Sequence, residues 1–137
     1  MDNLFTYHHV GIAVRDLQSA IPAYERLFGY KLISGPFSDA VHNVTICFMS
    51  RGNGDPVIEL VAPIGPNSPL DRILKRGGGA YHLCYEVSDL RKAIDELRAH
   101  GAFLISEPAP AVAFEMREIA WMMTDEASLL VELVQAR

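Results

Sequence analysis

The chain has 137 residues, half of them hydrophobic, with 12 basic against 17 acidic side chains and a formal net charge of −5. That length fits one compact domain, or two small halves sharing a core, and the composition is that of a soluble globular chain. The acidic balance excludes the basic face of a general nucleic-acid binder, and no apolar run approaches the length of a membrane span.

The opening "MDNLFTYHHV" carries Asp2 where a signal peptide would be positively charged, and polar histidines follow at once. "HHVGIAV" is a short apolar strand. "DLQSAIPAYERLFG" then predicts a helix, with Asp16 as N-cap, Leu17, Ile21, Tyr24, Leu27 and Phe28 at helical spacing, and Gly29 closing it. Pro22 falls inside that stretch, where proline is disfavoured. Three strands follow, "YKLIS", "VTICFMS" and "VIELVA", with "RGNGDP" as the turn between the last two. "NSPLDRILKRGGG" reads as a short helix capped by Ser68, with Pro69 at its first position and Gly77 beyond its end. The second half runs "YHLCYEV", "DLRKAIDELRAHG", "AFLIS", "EIAWMM" and "LLVELV".

The two halves are copies of one unit. Overlaying His9 on His82 shifts the chain by 73 positions and aligns "TYHHVGIAVRDLQSAI" with "GAYHLCYEVSDLRKAI". "GYKLISGP" matches "GAFLISEP" at an offset of 72, and "VIELV" answers "LVELV" at 73 again. The expected organisation is one domain over 1–137, with a β-α-β-β-β module at 7–63, a linker with a short helix at 64–78, and a second module at 79–135.

Strand parity separates the faces. Val10, Ile12 and Val14 share one face of their strand, which puts His9 on the other; Ile58, Leu60 and Ala62 likewise leave Glu59 opposite. His82 and Glu132 separate from Leu83, Tyr85, Val87 and from Leu129, Val131, Leu133 in the same way. Each half therefore keeps a histidine and a glutamate 50 residues apart on the side away from the helix. One histidine in a strand is ordinarily a satisfied polar residue, and one glutamate among aliphatics ordinarily sits on a wet face. Two copies keeping both at one spacing point instead to a shared site, which forms if the two sheets curve toward one another. Two imidazoles and two carboxylates are a borderline N/O ligand set for a divalent first-row ion, with positions left open for water or substrate.

Other features read plainly. Cys47 and Cys84 sit in apolar runs as small buried hydrophobes in a reducing compartment, so a cytoplasmic location is expected. Arg72, Lys75 and Arg76 complement the dipole of the linker helix rather than a phosphate, "GGG" at 77–79 is a cap and hinge, and Trp121, Met122 and Met123 are core. His42 is a polar residue at a strand start.

On "HHVGIAVRDLQSAIPAYERLFG", "VIELVAPIGPNSPLDRILKRGGGAYHLCYEV" and "LLVELVQ", the chain resembles the vicinal oxygen chelate superfamily, and within it methylmalonyl-CoA epimerases. The resemblance spans about residues 8 to 135. It implies an α+β glyoxalase-like fold, two tandem βαβββ modules forming a curved mixed sheet around a metal-binding cleft, and a homodimer. Its metal ligands correspond to His9, Glu59, His82 and Glu132, with His8 in place of a usual aspartate and Tyr81 in place of the histidine beside His82. The implied cofactor is one divalent ion (Co, Ni, Zn, Mn or Mg), and the implied reaction is epimerisation of an acyl-CoA thioester through a metal-stabilised enolate. Glu132 is then the proton shuttle, with Glu59 or His42 as the partner acid. A glyoxalase I-like lyase acting on a thiol adduct uses a similar ligand set. A metal-free antibiotic-binding protein of the same fold and an extradiol dioxygenase, with its three-ligand iron site, fit the four ligands less well. One segment departs from the epimerases: "PAPAVAFEMREIAWMMTDEAS" has no glycine where they carry a glycine-rich loop and a His-Pro-Lys turn.

Overall fold

A computed structural model describes residues 4–137; residues 1–3, including Asp2 of the leader reading, lie outside the described residues. The elements run β1 (Phe5–Ala13), α1 (Leu17–Phe28), β2 (Lys31–Asp39), β3 (Val44–Ser50), β4 (Val57–Pro63), α2 (Asp71–Lys75), β5 (Gly79–Val87), α3 (Leu90–Ala99), β6 (Phe103–Pro110), β7 (Glu118–Thr124) and β8 (Leu129–Gln135). No helix among the described residues is long and apolar enough to cross a membrane.

The chain divides into two compact units, residues 9–81 and residues 4–8 with 82–137. In the first, β1 and β4 pair in parallel, while β4 with β3 and β3 with β2 pair antiparallel. In the second, β5 and β8 are parallel, and β8, β7 and β6 continue antiparallel. Each unit buries one face of its strands under its helix. Leu17 of α1 packs with Cys47, Met49, Ile58, Leu60 and Ala62, joined by Val10, Ile12, Val14, Ile21 and Tyr24. Leu90, Ala93 and Ile94 of α3 pack with Leu4, Val87, Ala120, Met122, Val131 and Leu133.

The starts of α1 and α3 match their sequence signals. Asp16 and Asp89 adopt extended backbone and accept from the N–H groups of Ser19 (2.8 Å) and Lys92 (3.1 Å), satisfying a donor that a helix start leaves open. α1 ends on left-handed Gly29 and runs unbroken through Pro22, which lies on its exposed side, where water can take up a carbonyl the ring excludes. Leu27 and Phe28, expected on the packed face, are 63 % and 55 % exposed; the buried stripe stops a turn earlier. α2 starts at Asp71, two residues later than its proline suggests. Ser68 and Asp71 close the preceding turn instead, Ser68 N–H donating to Asp71 Oδ2 and Leu70 N–H to Ser68 Oγ.

The expected curvature of the sheet around a cleft is not what forms. Strands follow the open order β2-β3-β4-β1-β5-β8-β7-β6, so β2 and β6 end the sheet and nothing closes it. Both end strands run beyond their sequence signals, and both slip register, β2 around a cis Gly35–Pro36 bond and β6 around Pro108. Proline has no N–H to donate to a further strand, which suits it to a sheet edge. The α+β character, the mixed sheet and the two βαβββ modules remain.

Candidate metal-binding site

Among the described residues, six polar or charged side chains are buried: His9, Asp39, Glu59, Ser68, His82 and Glu132. Asp39 and Ser68 close local turns, accepting from the N–H groups of His42 and Leu70. The other four are the histidines and glutamates singled out by the repeat, each at most 3 % exposed. Burying an ionised carboxylate is costly unless a cation meets it, so two such pairs in one small protein require a chemical reason.

In residues 9–81, the parallel register sets Gly11 opposite Glu59, and His9, two positions earlier, shares their face. His9 Nε2 lies 3.4 Å from Glu59 Oε1. Phe48 stands opposite Glu59 on β3 and meets the His9 ring edge-on, with centroids 5.3 Å apart. The second unit repeats this point for point. Cys84 faces Glu132, His82 Nε2 lies 3.5 Å from Glu132 Oε1, and Trp121, opposite Glu132 on β7, stands edge-on to His82 at 4.8 Å. Phe48 and Trp121 occupy equivalent positions of the repeat but were not read as part of the site. Their overlay at the same offset as the histidines is the signal that could have found them.

Both pairs are candidate metal donors. Their separations exceed a well-formed N–H···O bond. They fit two ligands on one ion: with metal–ligand distances of about 2.1 Å, neighbouring donors stand roughly 3.0 Å apart in an octahedron and 3.4 Å in a tetrahedron. Nitrogen and carboxylate oxygen together suit a divalent first-row ion. The residues fit the group the resemblance implies.

The remaining residues fall elsewhere. His42 turns Nδ1 to Asp39 Oδ2 at 2.9 Å, so its partner is the turn between β2 and β3. Cys47 is fully buried, and burial pushes its thiol up to about 11, helped by the nearby Glu59 charge and opposed by a hydrogen bond to the Leu60 backbone. Neither cysteine is in a disulfide. Met122 is core and Trp121 stands against His82. The glycine-free segment turns on two consecutive left-handed residues, Glu115 and Met116. Arg117 fixes it by donating to Phe114 O (3.2 Å), Glu86 Oε2 (2.9 Å) and Gln135 O (2.9 Å).

The sequence model of the glyoxalase/bleomycin resistance protein/dioxygenase superfamily matches residues 8–121, and the chain belongs to that superfamily. Within it, the chain belongs with methylmalonyl-CoA epimerases. It is 34 % identical over 131 residues to the ethylmalonyl-CoA/methylmalonyl-CoA epimerase of Cereibacter sphaeroides, covering 93 % of this chain and 96 % of the relative. To the mitochondrial methylmalonyl-CoA epimerase of Dictyostelium discoideum it is 33 % identical, over 92 % of this chain and 75 % of the relative. The crystal structure of methylmalonyl-CoA epimerase from Mycobacterium tuberculosis superposes with a TM-score of 0.85 at 30 % identity, covering all of this chain and 92 % of that one.

Proposed function

We propose that the protein is a metal-dependent epimerase of the methylmalonyl-CoA type, and that His9, Glu59, His82 and Glu132 together hold one divalent ion. The observation that carries this reading is the duplicated buried His/Glu pair, built with the same register, separation and aromatic neighbour in both units. The relatives named for this reaction, similar over nearly the whole chain, support the substrate class of branched acyl-CoA thioesters.

An α-proton beside a thioester is weakly acidic, so its removal needs a base and a way to hold the charge left on the carbonyl. When bound, the ion supplies Lewis-acid stabilisation of that charge. The chain supplies the proton transfer. Inversion needs an acceptor on one face of the carbon and a donor on the other. In this reading Glu132 takes the proton and Glu59, its counterpart in the other unit, returns one. His9 and His82 act as neutral nitrogen donors, and Phe48 and Trp121 limit the positions their rings can take. Burial keeps the carboxylates from bulk water, which raises the cost of leaving either ionised without a cation. We further propose a homodimer, as the family resemblance implies, and a cytoplasmic location, which two cysteines outside any disulfide support.

The test is incubation of metal-reconstituted protein with methylmalonyl-CoA and ethylmalonyl-CoA in D₂O, following α-proton exchange by NMR. Exchange that disappears on chelation and returns with metal is the expected result. Absence of exchange with both thioesters by metal-replete protein would remove the epimerase reading.

A further inference from the structure

A cavity of about 530 Å³ lies outside both His/Glu pairs, lined by Arg15, Asp71, Arg72, Leu74 and Lys75, all within residues 9–81. Read from sequence, Arg72 and Lys75 only complement the end of α2. The structure adds a third cation from a different element. Arg15, just past β1, reaches across to donate from Nη2 to Leu74 O at 3.4 Å, which leaves the rest of its five N–H donors available. A helix dipole accounts for cations on the helix itself and not for the cavity between them and Arg15. Asp71, the one acid in the lining, accepts the N–H of Ser68 through Oδ2 and keeps its charge, so the lining carries three cations against one anion. Three cations thus surround an opening in a chain whose formal charge is −5.

The glycine run builds this arrangement. Gly77, Gly78 and Gly79 all have left-handed φ, and a Cβ on Gly78 would stand 2.7 Å from the Ala13 carbonyl oxygen. The chain leaving α2 therefore lies against the end of β1, which brings the cations of α2 beside Arg15. Arg15 is six residues beyond His9, at most about 20 Å along an extended chain. That is the scale of the pantetheine arm separating a CoA thioester from its phosphates.

We propose that this cavity seats phosphate groups of the acyl-CoA substrate, held by Arg15, Arg72 and Lys75. The assignment deepens the epimerase reading and rests on it for the identity of the ligand. Guanidinium and ammonium groups bind phosphate through charge-assisted hydrogen bonds, the stronger class of such bonds.

The experiment compares native protein with an Arg15→Gln/Arg72→Gln/Lys75→Gln variant, a single Lys75→Glu variant, and Arg26→Gln, which removes a last-turn cation of α1 away from the cavity. Calorimetry measures binding of CoA, of pantetheine and of inorganic pyrophosphate, and thermal melts confirm that each variant is folded. Native protein is expected to bind CoA roughly tenfold or more tightly than pantetheine. The triple variant should lose that advantage and its pyrophosphate binding, Lys75→Glu should lose much of both, and Arg26→Gln should match native protein. In turnover, the triple variant should raise KM for the acyl-CoA by a similar factor, with a much smaller change in kcat and in KM for the corresponding pantetheine thioester. A triple variant that binds CoA as native protein does, or that weakens CoA and pantetheine equally, overturns the assignment even if α-proton exchange is intact. Conversely, cavity-dependent CoA and pyrophosphate binding in a protein that exchanges no thioester proton would sink the epimerase reading and leave the phosphate seat standing.

Discussion

The proposed function gives Glu132 two roles, metal ligand and proton acceptor, that a single substitution can separate. In Glu132→Gln the amide oxygen can still face the ion, but the side chain no longer accepts a proton at neutral pH. Turnover is expected to fall by about 10² to 10⁴, the usual cost of losing a general base, while metal content changes far less. Activity tracking metal occupancy, and returning with excess metal, would make Glu132 a ligand only. Cys47 gives a second residue-scale expectation. Burial raises its thiol from the ordinary 9.0 to about 11, so the folded state keeps a proton that the unfolded state releases first. The stability this contributes is whole below pH 9 and is lost as pH climbs through 11. Urea midpoints measured from pH 8 to 11 should fall more steeply for native protein than for Cys47→Ala; parallel slopes would refute the assignment. The four metal candidates were legible in sequence because duplication preserved a spacing and strand parity gave a face. Phe48 and Trp121 were not, because an aromatic in an apolar strand follows the same pattern whether it fills core or stands against a buried histidine.

At the scale of elements, the linker shows how much turns on backbone conformation. Gly78 has φ +78 and lies against the Ala13 carbonyl, so Gly78→Ala meets both a disfavoured dihedral and a contact that must open. A loss on the order of 1–3 kcal/mol is expected, read from chemical denaturation. Gly52→Ala, also left-handed but with open space around its Cβ, bears only the dihedral cost and should lose less. Equal losses at the two sites would mean that the close approach to β1 contributes nothing. The starts of α1 and α3 and the strand order along the chain could be read in advance because aspartate N-caps and alternating apolar residues report local geometry. The open sheet could not, since nothing local says whether β2 and β6 will meet; their prolines and slipped registers become informative only once both are known to be edges.

Across the whole molecule, the division into units does not follow the repeat. Residues 4–8 belong with 82–137, and the chain crosses from one unit to the other within β1 and again within β5. Leu4 is buried among Val87, Leu90, Met122 and Leu133, its carbonyl accepts from Ser88 N–H, and Phe5 and Tyr7 stand edge-on to Tyr85. Leu4→Ala should therefore weaken the unit formed mainly by the C-terminal half, by about 2–3 kcal/mol for a buried leucine near the surface. The single tryptophan, Trp121, lies in that unit and reports on it by fluorescence. An unchanged urea midpoint for Trp121 fluorescence would show that the N-terminal segment is not part of its core.

The crossing also sets an order of events at the ribosome. Every residue of the 9–81 unit has been synthesised before His82 is added, so that unit can gather its core while translation continues. Leu4 and Phe5 precede that unit along the chain yet have nowhere to pack until Val87, Ser88 and the last strand follow. Bringing Leu4 back to Ser88 closes a loop of about eighty residues, an entropic cost on the order of 4 kcal/mol. If the chain grows slowly relative to folding, the segment that precedes the 9–81 unit is the last to find its place, and until then it presents an apolar strand edge to the chaperones and neighbouring chains around it.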